Sequence, residues 1–230
     1  MKISGFAAIA VAVLSTSAIA QDATNFDFKG VPLGISIDEF RAWQHPDNRE
    51  NTRVACTGEK VQKSYGAFEP SGVAVYDASE LAAGVVKCIW IATRSDGAMY
   101  YVGDRVALSL AGSGYAAYDY SFSFVPDPID GKLRLYKFLG TSNINAAPAV
   151  IEALTSKYGK PEISSGEVQN KIGNSFAQTR ALWSNTNGSI LVEDRYLKID
   201  DMVIIVSDKR LSKVIEETDA ARKASIPNGI

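Results

Sequence analysis

Few residues of this chain could do chemistry, and their types and spacing restrict what that chemistry would be. His45 is the only imidazole in 230 residues. A serine or cysteine hydrolase would have to use it as its base. It stands in His45-Pro46-Asp47, just past a segment that reads as a helix end, where a solvated or C-terminal-capping histidine is the simpler reading. Ser113 has glycines directly on either side, Gly112 and Gly114. A nucleophile elbow places its glycines two residues away from the serine, so this triplet reads as a turn.

Three carboxylate pairs could be considered for glycosidase chemistry: Asp127 with Asp130, Asp200 with Asp201, and Glu193 with Asp194. The first two pairs fall in turn sequences, where aspartate is favoured for backbone reasons. The third lies in a strand, where successive side chains point to opposite faces. The sequence holds no phosphate-binding glycine loop and no dinucleotide fingerprint. One histidine and two cysteines leave too few ligands for a zinc site built from those residues. No catalytic residue, metal site or cofactor is therefore assigned.

The N-terminus reads as an address. Lys2 is the only charge before Asp22, an apolar stretch runs from Ile3 to Leu14, and Ala18-Ile19-Ala20 forms a small-x-small end. These are the three parts of a secretory signal peptide, with cleavage after Ala20. The apolar run is shorter than the roughly 20 residues that a transmembrane helix needs, and no other stretch is long and apolar enough to span. The expectation is a periplasmic or secreted protein beginning at Gln21. In that setting Cys56 and Cys88 are expected to form a structural disulfide, since their wide spacing is unlike that of a C-x-x-C redox pair. The formal charge of −2 gives no electrostatic reason to expect a nucleic-acid partner.

The elements that must position any site follow from periodicity. Hydrophobic residues make up 46% and charged residues 22%, an ordinary globular composition. Phe26 to Leu33 reads as a short extended entry. Ser36 and Glu39 form a capping box, and Ile35 and Phe40 a hydrophobic staple, for a helix that buries Ile37, Phe40 and Trp43 and stops near Gln44, ahead of Pro46. Residues 57 to 84 show little periodicity. Strands are expected at 85–93, 99–102 and 105–110. Tyr118, Tyr120, Phe122 and Phe124 alternate with Asp119, Ser121 and Ser123 in the clearest strand, and 132–139 is its antiparallel partner. Ala147, Val150, Ile151, Leu154 and Tyr158 share one helical face, ended by Gly159 and Pro161. Residues 162–176 read as a polar loop. A three-strand meander over 179–207 turns at Asn187-Gly188 and at Asp200-Asp201, and a charged helix over 208–223 buries Leu211, Val214 and Ile215.

This order gives the α+β class, with antiparallel sheets each packed on one face by helices. It suggests two successive helix-plus-meander units, 21–140 and 141–230, after the 1–20 signal peptide. The aromatic stripe reads as core. Its outer end, Tyr115 and Tyr118, is the candidate binding site for a carbohydrate, a peptide or a partner protein.

Two stretches carry a resemblance. Phe28 to Ser36 running into Asp38-Glu39-Phe40-Arg41, and Leu154 through Lys157-Tyr158-Gly159-Lys160-Pro161 with Trp183, resemble small exported proteobacterial proteins. The helix start is also similar to the BamE-like and β-lactamase-inhibitor-like envelope modules. That resemblance implies helices packed on one face of an antiparallel sheet and used for protein contact. The lipid-anchor cysteine of the BamE-like proteins is absent, and no functional residue carries over. The expected function is a soluble, periplasmic, non-catalytic binding or interaction module, with an envelope protein or other periplasmic component as partner. The rival readings are a secreted hydrolase using carboxylates or His45, and a small-ligand carrier using the aromatic sheet face.

Overall fold

The computed structural model describes residues 25–63, 66–68, 77–97, 99–110 and 112–225, so the expected signal peptide lies outside the described residues. Its centre is one antiparallel sheet of eight strands: β3 (Thr52–Cys56), β6 (Val86–Ala92), β9 (Asp119–Pro126), β10 (Leu133–Asn143), β11 (Glu162–Gln169), β12 (Ser175–Ser184), β13 (Gly188–Asp194) and β14 (Asp201–Asp208). Their spatial order is β11-β12-β13-β14-β10-β9-β6-β3. Three two-stranded hairpins lie outside it: β1 (Asp27–Phe28) with β2 (Val31–Pro32), β4 (Val61–Lys63) with β5 (Gly66–Phe68), and β7 (Leu108–Ser109) with β8 (Ala116–Ala117).

The α+β class holds, and the expected division into two units does not describe the sheet. The boundary at 140/141 falls inside β10, which pairs with β9 on one side and β14 on the other. The reason lies in the central position of β10. A strand has two hydrogen-bonding edges, and Lys137–Thr141 pair with β9 on one edge and with β14 on the other.

Helices cover both faces of the sheet, not one. α1 (Ile37–Arg41) and α3 (Ala147–Tyr158) pack on the face that carries Trp90, Phe122, Phe124, Phe138 and Ile190. α2 (Ala78–Ala82) and α4 (Lys209–Ser225) lie on the other face, where Val85, Val125, Tyr136 and Leu211 form a smaller cluster. Strand alternation makes this possible: Phe124 points to one face and Val125 to the other, and both are fully buried. The capping box of α1 is present, with Ser36 Oγ accepting from the Glu39 N–H and Glu39 accepting from the Ser36 N–H. Phe40 is buried as expected, but α1 ends at Arg41 and leaves Trp43 38% exposed.

Two further expectations are corrected. Residues 99–102 form a loop, not a strand, because the Asp96 and Asp104 carboxylates accept the backbone N–H groups of Met99, Tyr100 and Tyr101 that a ladder would have used. Residues 162–169 form edge strand β11, not a loop. Nearly every side chain of β11 is exposed, so neither face is covered and no apolar alternation marks it. Backbone pairing with β12 alone makes it a strand. The meander strand expected to reach Ile199 ends at Asp194. There Arg195 adopts φ 53° and donates to the Ala177 and Ile199 carbonyls, which closes a tight loop over 195–200.

Candidate functional site

The aromatic stripe divides where the sheet ends. Tyr120, Phe122 and Phe124 are buried, and the Tyr120 hydroxyl donates to the Val106 carbonyl at 2.6 Å. Phe122 lies against Phe40, Trp90 and Phe138, with ring centroids 4.8 to 5.1 Å apart. Tyr118, one residue ahead of β9, is 64% exposed, and Tyr115 is 37% exposed. The backbone around them is held firmly. Arg105 Nη1 donates to the Tyr118 carbonyl at 2.8 Å and forms an ion pair with Asp119. The Leu110 N–H donates to the Tyr115 carbonyl, and Ser142 Oγ donates to the Ala116 carbonyl at 2.9 Å, which ties β8 to β10.

Tyr115 and Tyr118 stand on the wall of a cavity of about 720 Å³. A second cavity of about 460 Å³, walled by Tyr196, Leu197 and the Glu80–Lys87–Lys137 cluster, adjoins it. Both are lined by Asp119, Thr141, Lys198 and Asp201, so they form one groove that runs over the end of the sheet. Leu197 is 77% exposed on its rim. The groove therefore combines exposed tyrosines, an exposed leucine and hydrogen-bonding side chains of both charges. That composition is enriched where proteins bind partners.

Four carboxylates line the groove: Asp77 and Glu80 from the start of α2, and Asp119 and Asp201 at the end of the sheet. Asp119 pairs with Thr141 across β10, and Asp201 pairs with Asn143, so both point to the same face. They stand two strands apart and two residues out of step, which at ordinary sheet spacing separates their Cα atoms by about 12 Å. Asp119 is held by Arg105, and Asp201 lies 3.7 Å from Lys198.

The other sequence candidates serve the fold. Asp127 is buried and receives a bidentate pair from Arg210 at 2.9 and 2.8 Å, with Arg134 Nε at 3.1 Å. The Arg210 guanidinium, outweighing burial, holds its carboxyl down at about 2. Asp130 pairs with Arg134 at 2.7 Å. Glu193 pairs with Arg180 at 2.8 Å, and Asp194 accepts the Thr179 N–H. Ser113 Oγ donates to the Leu110 carbonyl and accepts the Tyr115 N–H, which places it in the turn. Gly112 and Gly114, at φ 65° and 71°, allow that turn.

His45 is neither solvated nor a helix cap, but a core residue. It is 2% exposed, edge-on to Trp90 at 5.5 Å, and its Nδ1 accepts the Asp47 N–H at 3.1 Å. Burial lowers its pKa to about 4, and the nearby Asp47 carboxylate offsets this only in part. A folded pKa below the unfolded 6.5 gives stability that is complete above 6.5 and is lost as pH falls from 6.5 toward 4. Replacing His45 by Phe is expected to flatten the unfolding free energy between pH 6.5 and 4. An imidazole titrating near 6.5 by NMR in the native protein would contradict this.

The sequence pointed to Tyr115 and Tyr118 but not to Tyr196 and Lys198 of the opposite wall, and it did not connect Asp201 with them. Asp201 was named only with Asp200, as a carboxylate pair in a turn, and nothing local shows that this turn faces the β7–β8 hairpin. Among the described residues no group of three His, Cys, Asp or Glu side chains is placed to hold a metal ion, and no helix is long and apolar enough to cross a membrane. No family model matches the chain, and no curated protein and no solved structure is significantly similar to it. The functional reading rests on the geometry of the groove.

Proposed function

We propose that this protein is a non-catalytic binding module of the cell envelope that engages a partner protein through the tyrosine groove. The observation that carries the reading is the break in the aromatic stripe. Three of its members are buried, while Tyr118 is left 64% exposed on a wall facing polar side chains. A large side chain with two rotatable bonds, held on an anchored backbone, loses little entropy on binding, which is the property of an interface hot spot. The hydrolase reading is the weaker one, since His45 is buried in the core and the groove acids carry cationic partners, Asp119 with Arg105, Asp201 with Lys198 and Glu80 with Lys87 and Lys137. The exported location rests on the residues before Gln21.

The test is site-specific photocrosslinking in cells. A photoreactive side chain at Tyr118 is expected to give a defined adduct with one envelope protein, and the same probe at Ile172, on the far β11–β12 turn, is expected to give none. With that partner purified, Tyr118→Ala should weaken binding by about 30-fold, the size of a hot-spot loss near 2 kcal/mol. Turnover of a hydrolase substrate that falls with Asp119→Asn or Asp201→Asn, with no adduct at Tyr118, would defeat the proposal.

A further inference from the structure

The loop between α1 and β3 curls around a cavity of about 530 Å³, and every residue lining that cavity comes from the segment 41–53. Its size falls in the range of roughly 300–1,000 Å³ usual for small-molecule sites. It shares no lining residue with the tyrosine groove. The loop is held from beneath. His45 is buried against Trp90, and Asp47 accepts from the Ser109 N–H at 2.7 Å and from its hydroxyl at 2.6 Å. The Asn48 N–H donates to the His45 carbonyl at 2.8 Å, and the Thr93 N–H to the Asn51 carbonyl at 2.7 Å. Asn48 and Asn51 take φ of 52° and 55°, a region that asparagine enters more readily than most residues. The cavity wall is thus fixed before any ligand arrives.

The charges on this wall do not balance. Arg41, Arg49 and Arg53 line it, with Glu50 as the one carboxylate among the lining residues. Arg41 and Arg53 share the single carboxylate of Glu59, one on each oxygen, both at 3.1 Å. Three guanidiniums therefore stand against two carboxylates, Glu50 and Glu59, and one positive charge is left over. Among the described residues the Arg49 guanidinium has no carboxylate partner and donates no hydrogen bond. It lies over the ring of Tyr100, 5.3 Å from its centroid. Stacking fixes the plane of the guanidinium and leaves its N–H fork open. The side-chain amides of Gln44, Asn48 and Asn51 also make no hydrogen bond within the described residues. Trp43 completes the wall and is 38% exposed, because α1 ends before reaching it.

We propose that this cavity binds an acidic sugar, a uronic-acid unit of an oligosaccharide, with its carboxylate on Arg49 and its ring on Trp43. Each part of the wall answers one part of that ligand. A pyranose ring has an apolar face of C–H bonds that packs on an indole. Its rim of hydroxyls both donates and accepts, as the free amides of Gln44, Asn48 and Asn51 do. A guanidinium fork takes a carboxylate through two parallel hydrogen bonds. The single charge left over selects a monoanion, which a carboxylate is and a phosphate dianion is not. Arg41 and Arg53 stay on Glu59 and hold the rim. The site is independent of the tyrosine groove, and sugar binding here would stand if the groove had no partner.

The experiment is calorimetric titration of the protein with trigalacturonate, with trimannuronate, with the methyl ester of each and with inorganic phosphate. At least one acid is expected to bind saturably at one molecule per chain. Its methyl ester, with the same rings and no charge, should bind about tenfold more weakly, the usual difference a charge-assisted pair makes. Arg49→Gln should bring the acid to the affinity of the ester and leave the ester unchanged. Arg49→Lys, which keeps the charge and loses the fork, should fall between them. Trp43→Ala should weaken acid and ester alike, by about tenfold for the lost apolar contact. Both side chains are exposed, so these variants should unfold at the wild-type urea concentration. Three results would overturn the proposal. One is no saturable binding of either acid. Another is equal affinity for acid and ester in wild type. The third is phosphate binding as tightly as the acid and displacing it, with Trp43→Ala without effect, which would make the cavity a plain anion site.

Discussion

Glu80→Ala is expected to lower the unfolding free energy by about 3–5 kcal/mol, the cost of removing one member of a buried ion pair. Glu80, the buried residue of α2, is 2% exposed and gathers three donors: Lys87 Nζ at 2.7 Å, Lys137 Nζ at 2.6 Å and the Tyr136 hydroxyl at 2.6 Å. A bulge in β10 between Leu135 and Lys137 makes this convergence possible. The extra residue sends Tyr136 and Lys137, adjacent in sequence, to the same face, which a regular strand forbids. Removing the carboxylate leaves the Lys87 ammonium, 7% exposed, without this counterion. Glu80→Gln keeps an acceptor and loses the charge, so an intermediate loss is expected. Equilibrium denaturation of the two variants measures both. A loss below about 1 kcal/mol for Glu80→Ala would mean that α2 is held without the network.

The same network predicts an acid limb. Burial pushes the Glu80 carboxyl up, but hydrogen bonds from Lys137, Lys87 and Tyr136 outweigh it and hold the pKa at about 2. A folded pKa below the unfolded 4.5 gives stability that is complete above 4.5 and is lost as pH falls toward 2. That loss is on the order of 3 kcal/mol. It comes at lower pH than the His45 contribution, so wild type should lose stability in two stages. His45→Phe should remove the upper stage, and Glu80→Gln should reduce the lower, to which Asp127, also held at about 2, contributes as well.

The second large effect is expected at the disulfide. Cys56 and Cys88 are bonded and stand directly opposite each other in the β3–β6 register. β3 is the last strand of the sheet and pairs with β6 alone, so the bond ties an edge strand to the interior. The cysteines are 32 residues apart, and opening a loop of that size restores chain entropy worth about 4 kcal/mol. The C56A/C88A double variant should therefore unfold at a markedly lower urea concentration than wild type, by roughly that free energy. Both cysteines are wholly buried, so a thiol reductant should act only under conditions that open the fold. Fast reduction of the native protein at neutral pH, or an unchanged urea midpoint for the double variant, would contradict this.

Much of the scaffold was legible because its signals are local. The capping box at Ser36 and Glu39, the stripe through Phe122 and Phe124, the face of α3 from Ala147 to Tyr158 and the Asn187-Gly188 turn each depend on residues a few positions apart. The pairing of Cys56 with Cys88 was legible for a different reason: the chain has only two cysteines. Strand β11 was not legible, because a strand exposed on both faces carries no hydrophobic code.

For the sites, residue type and spacing determined mainly what chemistry was improbable: one histidine, no phosphate loop and carboxylates in turns. They also marked Tyr115 and Tyr118 as the outer end of the aromatic stripe. Only the tertiary structure decided that Tyr118 stays exposed while Tyr120 is buried, that Tyr196 and Asp201 complete the groove, and that Glu80 meets Lys137 across 57 residues of sequence. The physical reason is that burial and electrostatics depend on what lies across the sheet. In an antiparallel sheet of non-sequential strand order, the neighbour across the sheet is set by register and bulges and not by distance along the chain.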